Sequence, residues 1–316
     1  MRDLISVIMS TYNEPLKWIE QAIDSILGQT YQNIEFIIIV DAPENKELIN
    51  YITERKKQDN RIIIHINGIN MGLTASLNMA ISLANGLYIA RMDADDIAEP
   101  DRIECQIEYL VSCKLDLVGC NVMDINEEGK ILNIKGTNLP TSDKAIKDYL
   151  RTNGAIMHPT WLVKKSVYIE MGMYHDFPAC EDYDFLTRVA LAGYKLGNVR
   201  EVKQMYRINT KGISNARKVM QKSSHYFIMQ NYNCGKQSNL DEFYRFIESD
   251  MGKKKQEGLR NYYNASAKLK RYYHDKEYIT FLIVGLKTFV KEKEGRVVAA
   301  NILRKKWLRL KYGKYY

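Results

Sequence analysis

The chain has 316 residues, 46% hydrophobic and 27% charged, which suits one large core or two modest ones and excludes a disordered or fibrous protein. Five cysteines (Cys105, Cys113, Cys120, Cys180, Cys234) include no C-x-x-C and no paired histidine spacing, so neither a zinc module nor a disulfide scaffold is expected. The net charge of +8 conceals a division: residues 1–210 carry 22 Lys and Arg against 29 Asp and Glu, a balance of −7, and residues 211–316 carry 24 against 9, a balance of +15.

Two parts are expected from that division, an α/β body over 1–210 and a basic helical extension over 211–316 suited to an anionic partner. Met1 leads into a β-like run with no long apolar segment or small-residue cleavage site, which predicts a cytoplasmic protein. The most apolar stretch, residues 278–290, contains Gly285 and Lys287 and falls short of the ~20 residues a membrane-crossing helix needs.

Short β-branched runs at 4–9, 34–40, 62–66 and 87–92 read as buried parallel strands. Between them Leu16, Ile19, Ile23, Ile26 and Leu27 recur at helical spacing, as do Leu73, Leu77, Ala80, Ile81 and Ala84. Strand and covering helix in alternation predict a doubly wound sheet, which binds ligands at the carboxyl ends of its strands. Further on come a helix after Pro100, strand-like runs at 115–118 and 131–134, and a turn-rich break at 138–142. Strands at 155–163 and 202–208 then flank a helix over 183–192, and after Gly212 the pattern turns helical, polar and rich in Lys and Tyr.

Polar residues at the strand ends are the candidates for chemistry. Ser10-Thr11-Tyr12-Asn13-Glu14-Pro15 runs into a helix whose amino end can hold an anion, with Tyr12 as a stacking ring; an ordinary helix cap with a buried Tyr is the alternative. Asp41 can accept the imide N–H of a uracil or cap the helix from Glu44. Arg91-Met92-Asp93-Ala94-Asp95-Asp96 packs three carboxylates into four residues after a buried strand, a repulsion that a hard divalent cation relieves while bridging a diphosphate. A solvated acidic turn capping the helix at Glu99-Pro100 is the alternative. Glu181 and Asp182 open a helix, where the macrodipole favours acids, and a carboxylate there can also serve as general base toward a hydroxyl. His158-Pro159 and Tyr206-Arg207 are candidates to line the same cleft.

Six segments stand in an order that resembles family-2 glycosyltransferases of the GT-A fold: V-I-M-S-T-Y-N-E-P from Val7, I-I-V-D ending at Asp41, N-M-G-L from Asn70, Y-I-A-R-M-D-A-D-D from Tyr88, H-P-T from His158 and E-D-Y-D-F from Glu181. The resemblance spans about residues 4–210. It implies an α/β, Rossmann-like mixed sheet with a basic helical extension, and inverting transfer of a sugar from a nucleotide diphosphate, UDP by family habit, to an acceptor hydroxyl. By the same resemblance Thr11, Tyr12, Asn13, Glu14 and Asp41 hold the nucleoside. Gly72 and Arg91 lie near the diphosphate, and Asp93 near the ribose and metal. Asp95 binds Mn²⁺ or Mg²⁺, with Asp96 as a further candidate. Asp182 is implied as catalytic base, and Glu181 and His158 as neighbours of acceptor or donor-sugar hydroxyls.

Two departures stand out. Where family members carry a histidine after the Y-R pair this chain reads Tyr206-Arg207-Ile208-Asn209, which leaves loop closure over the diphosphate without its usual residue. The Q-x-x-R-W signature of processive synthases is absent, which points to single sugar additions.

In the tail Ala299, Ala300, Leu303, Trp307 and Leu310 fall on one helical face among Arg296, Arg304, Lys305, Lys306, Arg309 and Lys311. Either that helix lies in an anionic membrane surface, on the inner face of the cell membrane where a polyprenyl-diphosphate-linked saccharide acceptor would be met, or Trp307 packs on the body. Nucleic acid is not expected, because no recognised binding module accompanies the charge. O-antigen or capsule assembly is the leading expectation. A catalytically silent, nucleotide-binding membrane adaptor of the same fold is the rival. A nucleotidyltransferase would show a Gly-rich basic loop after its first strand, which residues 10–15 lack.

Overall fold

In the computed structural model, residues 2–132, 134–209, 218–274 and 293–315 are described. The apolar stretch at 278–290 lies outside them, and the helical pattern expected after Gly212 is described from Lys218 on. Four parallel strands form first: β1 (Ile5–Thr11), β2 (Ile34–Val40), β3 (Ile62–Ile66) and β4 (Tyr88–Asp93). All seven residues of β2 are buried because helices cover both faces, which is why its sequence does not alternate. Its side chains still alternate in destination. Ile37 and Ile39 pack with Leu77, Ala80 and Ile81 of α3 (Leu73–Leu83). Phe36 and Ile38 pack on the other side with Ile19, Ile23 and Ile26 of α1 (Leu16–Leu27) and Leu48 and Ile52 of α2 (Lys46–Gln58).

The sheet then leaves the purely parallel plan. Its order is β3-β2-β1-β4-β7-β6-β8-β5, with β5 at Ile97–Ala98, β6 at Leu117–Ile125, β7 at Leu162–Lys164 and β8 at Leu196–Arg207. β7 runs antiparallel to both β4 and β6, β6 and β8 are parallel, and β5 closes the edge antiparallel to β8. The sheet is thus mixed, as the resemblance implies, and β4 with β5 delivers the acidic turn to its carboxyl end.

Three expected strands differ from the structure. Over 155–163, Pro159 has no N–H to give a ladder, so a 3₁₀ turn (His158–Thr160) takes its place and pairing begins at Leu162. Among the described residues the run at 131–134 makes one isolated bridge, Ile131 with Ile125, and its apolar side chains are exposed, Ile134 to 86%. The run at 115–118 starts a strand that continues to Ile125, since its polar residues Asn121 and Asp124 find partners or the sheet end rather than a turn.

α4 (Arg102–Ser112), α5 (Asp143–Leu150), α6 (Lys165–Glu170) and α7 (Glu181–Leu191) complete the body, and α8 (Lys218–Asn233), α9 (Leu240–Glu248), α10 (Asp250–His274) and α11 (Lys293–Lys311) form the helical part. Ile228, Phe243, Leu308 and Tyr312 enter the same core as Phe185 and Val189 of α7. Beyond α11 the Tyr315 carbonyl accepts from the Thr141 N–H (2.7 Å) and hydroxyl (2.8 Å), fastening the terminus to the body.

α11 corrects the reading in which Trp307 packs on the body. Leu308 is 1% exposed and Trp307 54%, so the helix docks through the face opposite the one the sequence singled out. Leu303, Trp307 and Leu310 remain outside together; nothing is described of the Ala299 side chain. No helix among the described residues is long and apolar enough to cross a membrane.

Candidate active site

At the end of β1, Glu14 folds back: its Oε2 accepts from the Thr11 hydroxyl and the Tyr12 N–H, both at 2.8 Å. Thr11 and Glu14 therefore shape this turn for each other, and Tyr12 (42% exposed) and Asn13 are left facing outward. Asp41 caps no helix. Asn45 caps α2 instead, accepting from the Leu48 N–H at 3.1 Å. Asp41 is buried and collects the Asn67 amide (2.7 Å) and the N–H groups of Met71 and Gly72 (2.8 Å each), so it fixes the loop that opens α3. Gly72 there has φ +83°, the left-handed region that only glycine enters cheaply. The Asp41 N–H in turn donates to the Thr11 carbonyl at 2.8 Å, which sets the two strand ends side by side.

Beside them stands the acidic turn after β4. Arg91, 2% exposed, pairs with Asp93 at 2.5 Å, while its Nε and Nη1 have no hydrogen-bond partner among the described residues. Burial opposes the Arg91 charge, but Asp93 outweighs it and holds the guanidinium above its usual value. Burial, then Asp93 and Glu14, push the Asp95 carboxyl up to about 7. Asp96 is different in kind. It is fully buried and accepts from the Gln204 amide (2.6 Å) and the Arg207 N–H (2.9 Å), so it ties the turn to β8.

α7 supplies the facing carboxylates. Its first turn carries Glu181, Asp182 and Asp184, as the macrodipole favours. Burial and then the Asp182 charge push Glu181 up to about 8. Asp182 is also raised by burial, with the Tyr183 N–H and Arg91 pulling the other way. Both carboxylates feel Arg91 and Asp93, so α7 and the β4 turn share one electrostatic neighbourhood. His158 Nδ1 lies 3.9 Å from Glu181, and its Nε2 shares a 2.8 Å bond with the Tyr174 hydroxyl, itself 2.9 Å from that of Tyr168. Burial, then Arg91, hold His158 well below its usual value, so it is neutral at pH 7. Asp184 instead pairs with Arg188 at 2.8 Å inside the core and stays out of the cleft.

Twelve of the candidate residues thus fall in two adjoining groups: Thr11, Tyr12, Asn13, Glu14, Asp41 and Gly72 on the β1–β2 side, and Arg91, Asp93, Asp95, His158, Glu181 and Asp182 on the β4–α7 side. Glu14 connects them through its influence on Asp95. The sequence reading named Arg207 as a candidate to line the cleft. Its guanidinium is instead consumed by the carbonyls of Asp95 (2.7 Å), Asn126 (3.0 Å) and Glu127 (3.1 Å) and by Gln21 (2.9 Å), bracing the acidic turn from behind. Asn67, Tyr174, Arg102 and Gln204 were not foreseen. Arg102 is fully buried and donates to Gln204, which donates to Asp96, a support under the turn that only long-range pairing of α4 with β8 creates.

The donor set fits a magnesium- or manganese-like ion. Such ions take one or two carboxylates and complete their shell with water and substrate phosphate. Asp93 and Asp95 supply hard oxygens on one turn, and Asp96 is already engaged. Among the described residues no group of three or more His, Cys, Asp or Glu could hold a metal ion, so this turn offers a pair and not a full protein cage.

A mixed sheet wound like a nucleotide-binding fold, with an acidic turn at the end of its fourth strand and carboxylates on the first turn of α7, is the arrangement of a GT-A-type fold. Residues 6–172 match the family model described as Glycosyl transferase family 2, and the chain belongs to that family. It is 34% identical over 211 residues to the O-antigen biosynthesis glycosyltransferase WbnJ of Escherichia coli, covering 66% of this chain and 81% of that protein. Its fold resembles S. aureus TarS in complex with UDP-GlcNAc (TM-score 0.60, 13% identity, 76% of this chain and 69% of that one). It also resembles mannosyltransferase PcManGT from Pyrobaculum calidifontis in complex with GDP-Man and Mn²⁺ (TM-score 0.59, 16% identity, 99% of this chain and 87% of that one).

Proposed function

We propose that this glycosyltransferase moves a sugar, with inversion, from a UDP-sugar to a hydroxyl of a lipid-linked oligosaccharide acceptor in O-antigen or capsule assembly. The observation that carries the reading is a buried cation, Arg91, paired with Asp93 and acting on Asp95, Glu181 and Asp182 at the carboxyl end of the parallel strands. Tyr12 and Asn13, exposed at the end of β1, would meet the nucleoside, with the Asp41–Gly72 loop beneath it. The unpartnered Nε and Nη1 of Arg91 are donors in waiting for diphosphate oxygens. Asp93 and Asp95 would hold Mn²⁺ or Mg²⁺, which when bound neutralises the charge growing on the leaving diphosphate. Asp182 takes the acceptor proton on the opposite side, and Glu181 with neutral His158 orients sugar hydroxyls. Residues 1–210 form the donor-binding and catalytic body in this reading, and the helices beyond it the acceptor side.

UDP is retained from the family resemblance and from the structural neighbour solved with UDP-GlcNAc; the neighbour solved with GDP-Man makes guanosine the comparison. Asp95→Asn is expected to abolish the Mn²⁺-dependent part of UDP binding, about tenfold or more in affinity by calorimetry with and without Mn²⁺. Unchanged Mn²⁺ dependence removes the ion from this turn.

The exposed face of α11, with Leu303, Trp307 and Leu310 among Arg304, Lys306 and Arg309, suits an anionic bilayer surface on the inner face of the cell membrane. Trp307→Glu is expected to cut co-sedimentation with phosphatidylglycerol vesicles at least fivefold while leaving neutral vesicles unbound. Equal pelleting of both proteins contradicts that placement.

A further inference from the structure

Behind α7, where α8, α10 and α11 meet, lies a cavity of about 220 Å³ that the reaction described above does not use. Its wall is basic and aromatic. Lys222 and His225 come from α8, Lys255 and Tyr262 from α10, and Glu294 and Lys305 from α11. Glu294 is already paired with Lys255 at 2.6 Å. Among the described residues Lys222 and Lys305 have no carboxylate partner, and Lys305 lies over the Tyr149 ring at 5.4 Å. Lost hydration first, and like charges after it, lower both ammonium groups: Lys305 and Lys218 act on Lys222, and Arg309 on Lys305. His225 Nε2 is shielded from solvent with no hydrogen-bond partner among the described residues, and burial with the three lysines pushes that imidazole down to about 3. A folded chain that gathers cations around an orphaned imidazole holds them at a cost, and an oxyanion entering the cavity removes it.

We propose that this cavity binds the diphosphate of the acceptor substrate, the class being a sugar carried on a lipid diphosphate. The inference rests on the glycosyl-transfer reading. Three observations set the ligand. The volume is below the ~300–1,000 Å³ of pockets that enclose a whole small molecule, which fits a charged group whose remainder lies outside. The His225 ring stacks on Tyr183 at 4.3 Å, so the cavity wall packs against α7, the helix that carries the proposed base in its first turn. α11 presents Glu294, Asn301 and Lys305 inward and Leu303, Trp307 and Leu310 outward, so one helix faces both the cavity and the surface suited to lipid.

The test is pyrophosphate binding to the full chain with the donor site saturated by UDP, followed by ³¹P NMR and by the His225 ring resonances. Wild type is expected to bind saturably with a shift at His225, and Lys222→Gln/Lys305→Gln to weaken binding at least tenfold. Because that change removes like-charge repulsion, its melting temperature without ligand is expected to equal or exceed that of wild type, which separates lost binding from misfolding. Vesicles carrying a polyprenyl diphosphate are expected to compete with pyrophosphate, and phosphatidylglycerol vesicles are not. No binding under saturating UDP, equal affinity in the double variant, or competition by free phosphate alone overturns the assignment. Absence of UDP binding itself would strike the glycosyl-transfer reading instead.

Discussion

Asp182→Asn is expected to slow sugar transfer by about 10²–10⁴-fold, the usual worth of a positioned general base, with UDP affinity held within about threefold. The pH profile should carry the same signature. Glu181 stands at about 8 and Asp182 is raised beside it, so the two titrate as a pair that still holds a proton at neutral pH. A base must be free to act, so transfer should rise with pH through that region and level off above it. Glu181→Gln removes a like charge from beside Asp182 and should move the rising limb to lower pH. A profile flat from pH 6 to 9 in wild type would exclude the pair as the proton acceptor.

The second large effect is expected at Arg91. Arg91→Gln leaves Asp93 and the α7 carboxylates without their shared cation in a buried place, where loss of one partner costs about 3–5 kcal/mol. Urea unfolding at pH 8 should report that loss. Because Arg91 lowers both Glu181 and Asp182, its removal should also shift the activity limb to higher pH, opposite to Glu181→Gln. Arg91→Lys should recover part of the stability and little of the donor affinity, since an ammonium cannot replace two unpartnered guanidinium nitrogens. Wild-type stability in Arg91→Gln would mean that the carboxylates are neutral without it.

Much of the fold and of the candidate site was legible because buried parallel strands leave uninterrupted β-branched runs. β2 reads IEFIIIV and is buried throughout, and the polar residues that follow such runs must lie at a sheet end. Arg91, Asp93 and Asp95 were placed at the end of β4 that way. The same signal failed at 131–134, where apolar residues form no ladder, and at His158–Thr160, where one proline replaces strand by 3₁₀ turn. Long-range partners left no local mark. Arg207 and Asp96 are 111 residues apart and meet because β5 pairs with β8, and nothing in Tyr206-Arg207 says that the guanidinium turns inward. For α11 the periodicity was correct and one of the two uses offered for its apolar face was not: Leu303, Trp307 and Leu310 share an exposed side, and Leu308 and Tyr312 were the residues with a core to enter. Helical spacing alone does not say which of two partly apolar faces meets the body.

The central claim, attack by a deprotonated acceptor opposite a metal-bound diphosphate, is tested most directly by the configuration of the product. Proton NMR of the first turnover, with an α-linked UDP-sugar, Mn²⁺ and acceptor, should show a β-linked product from wild type and none from Asp182→Asn. An α-linked product, or the same turnover in the variant, would contradict the account.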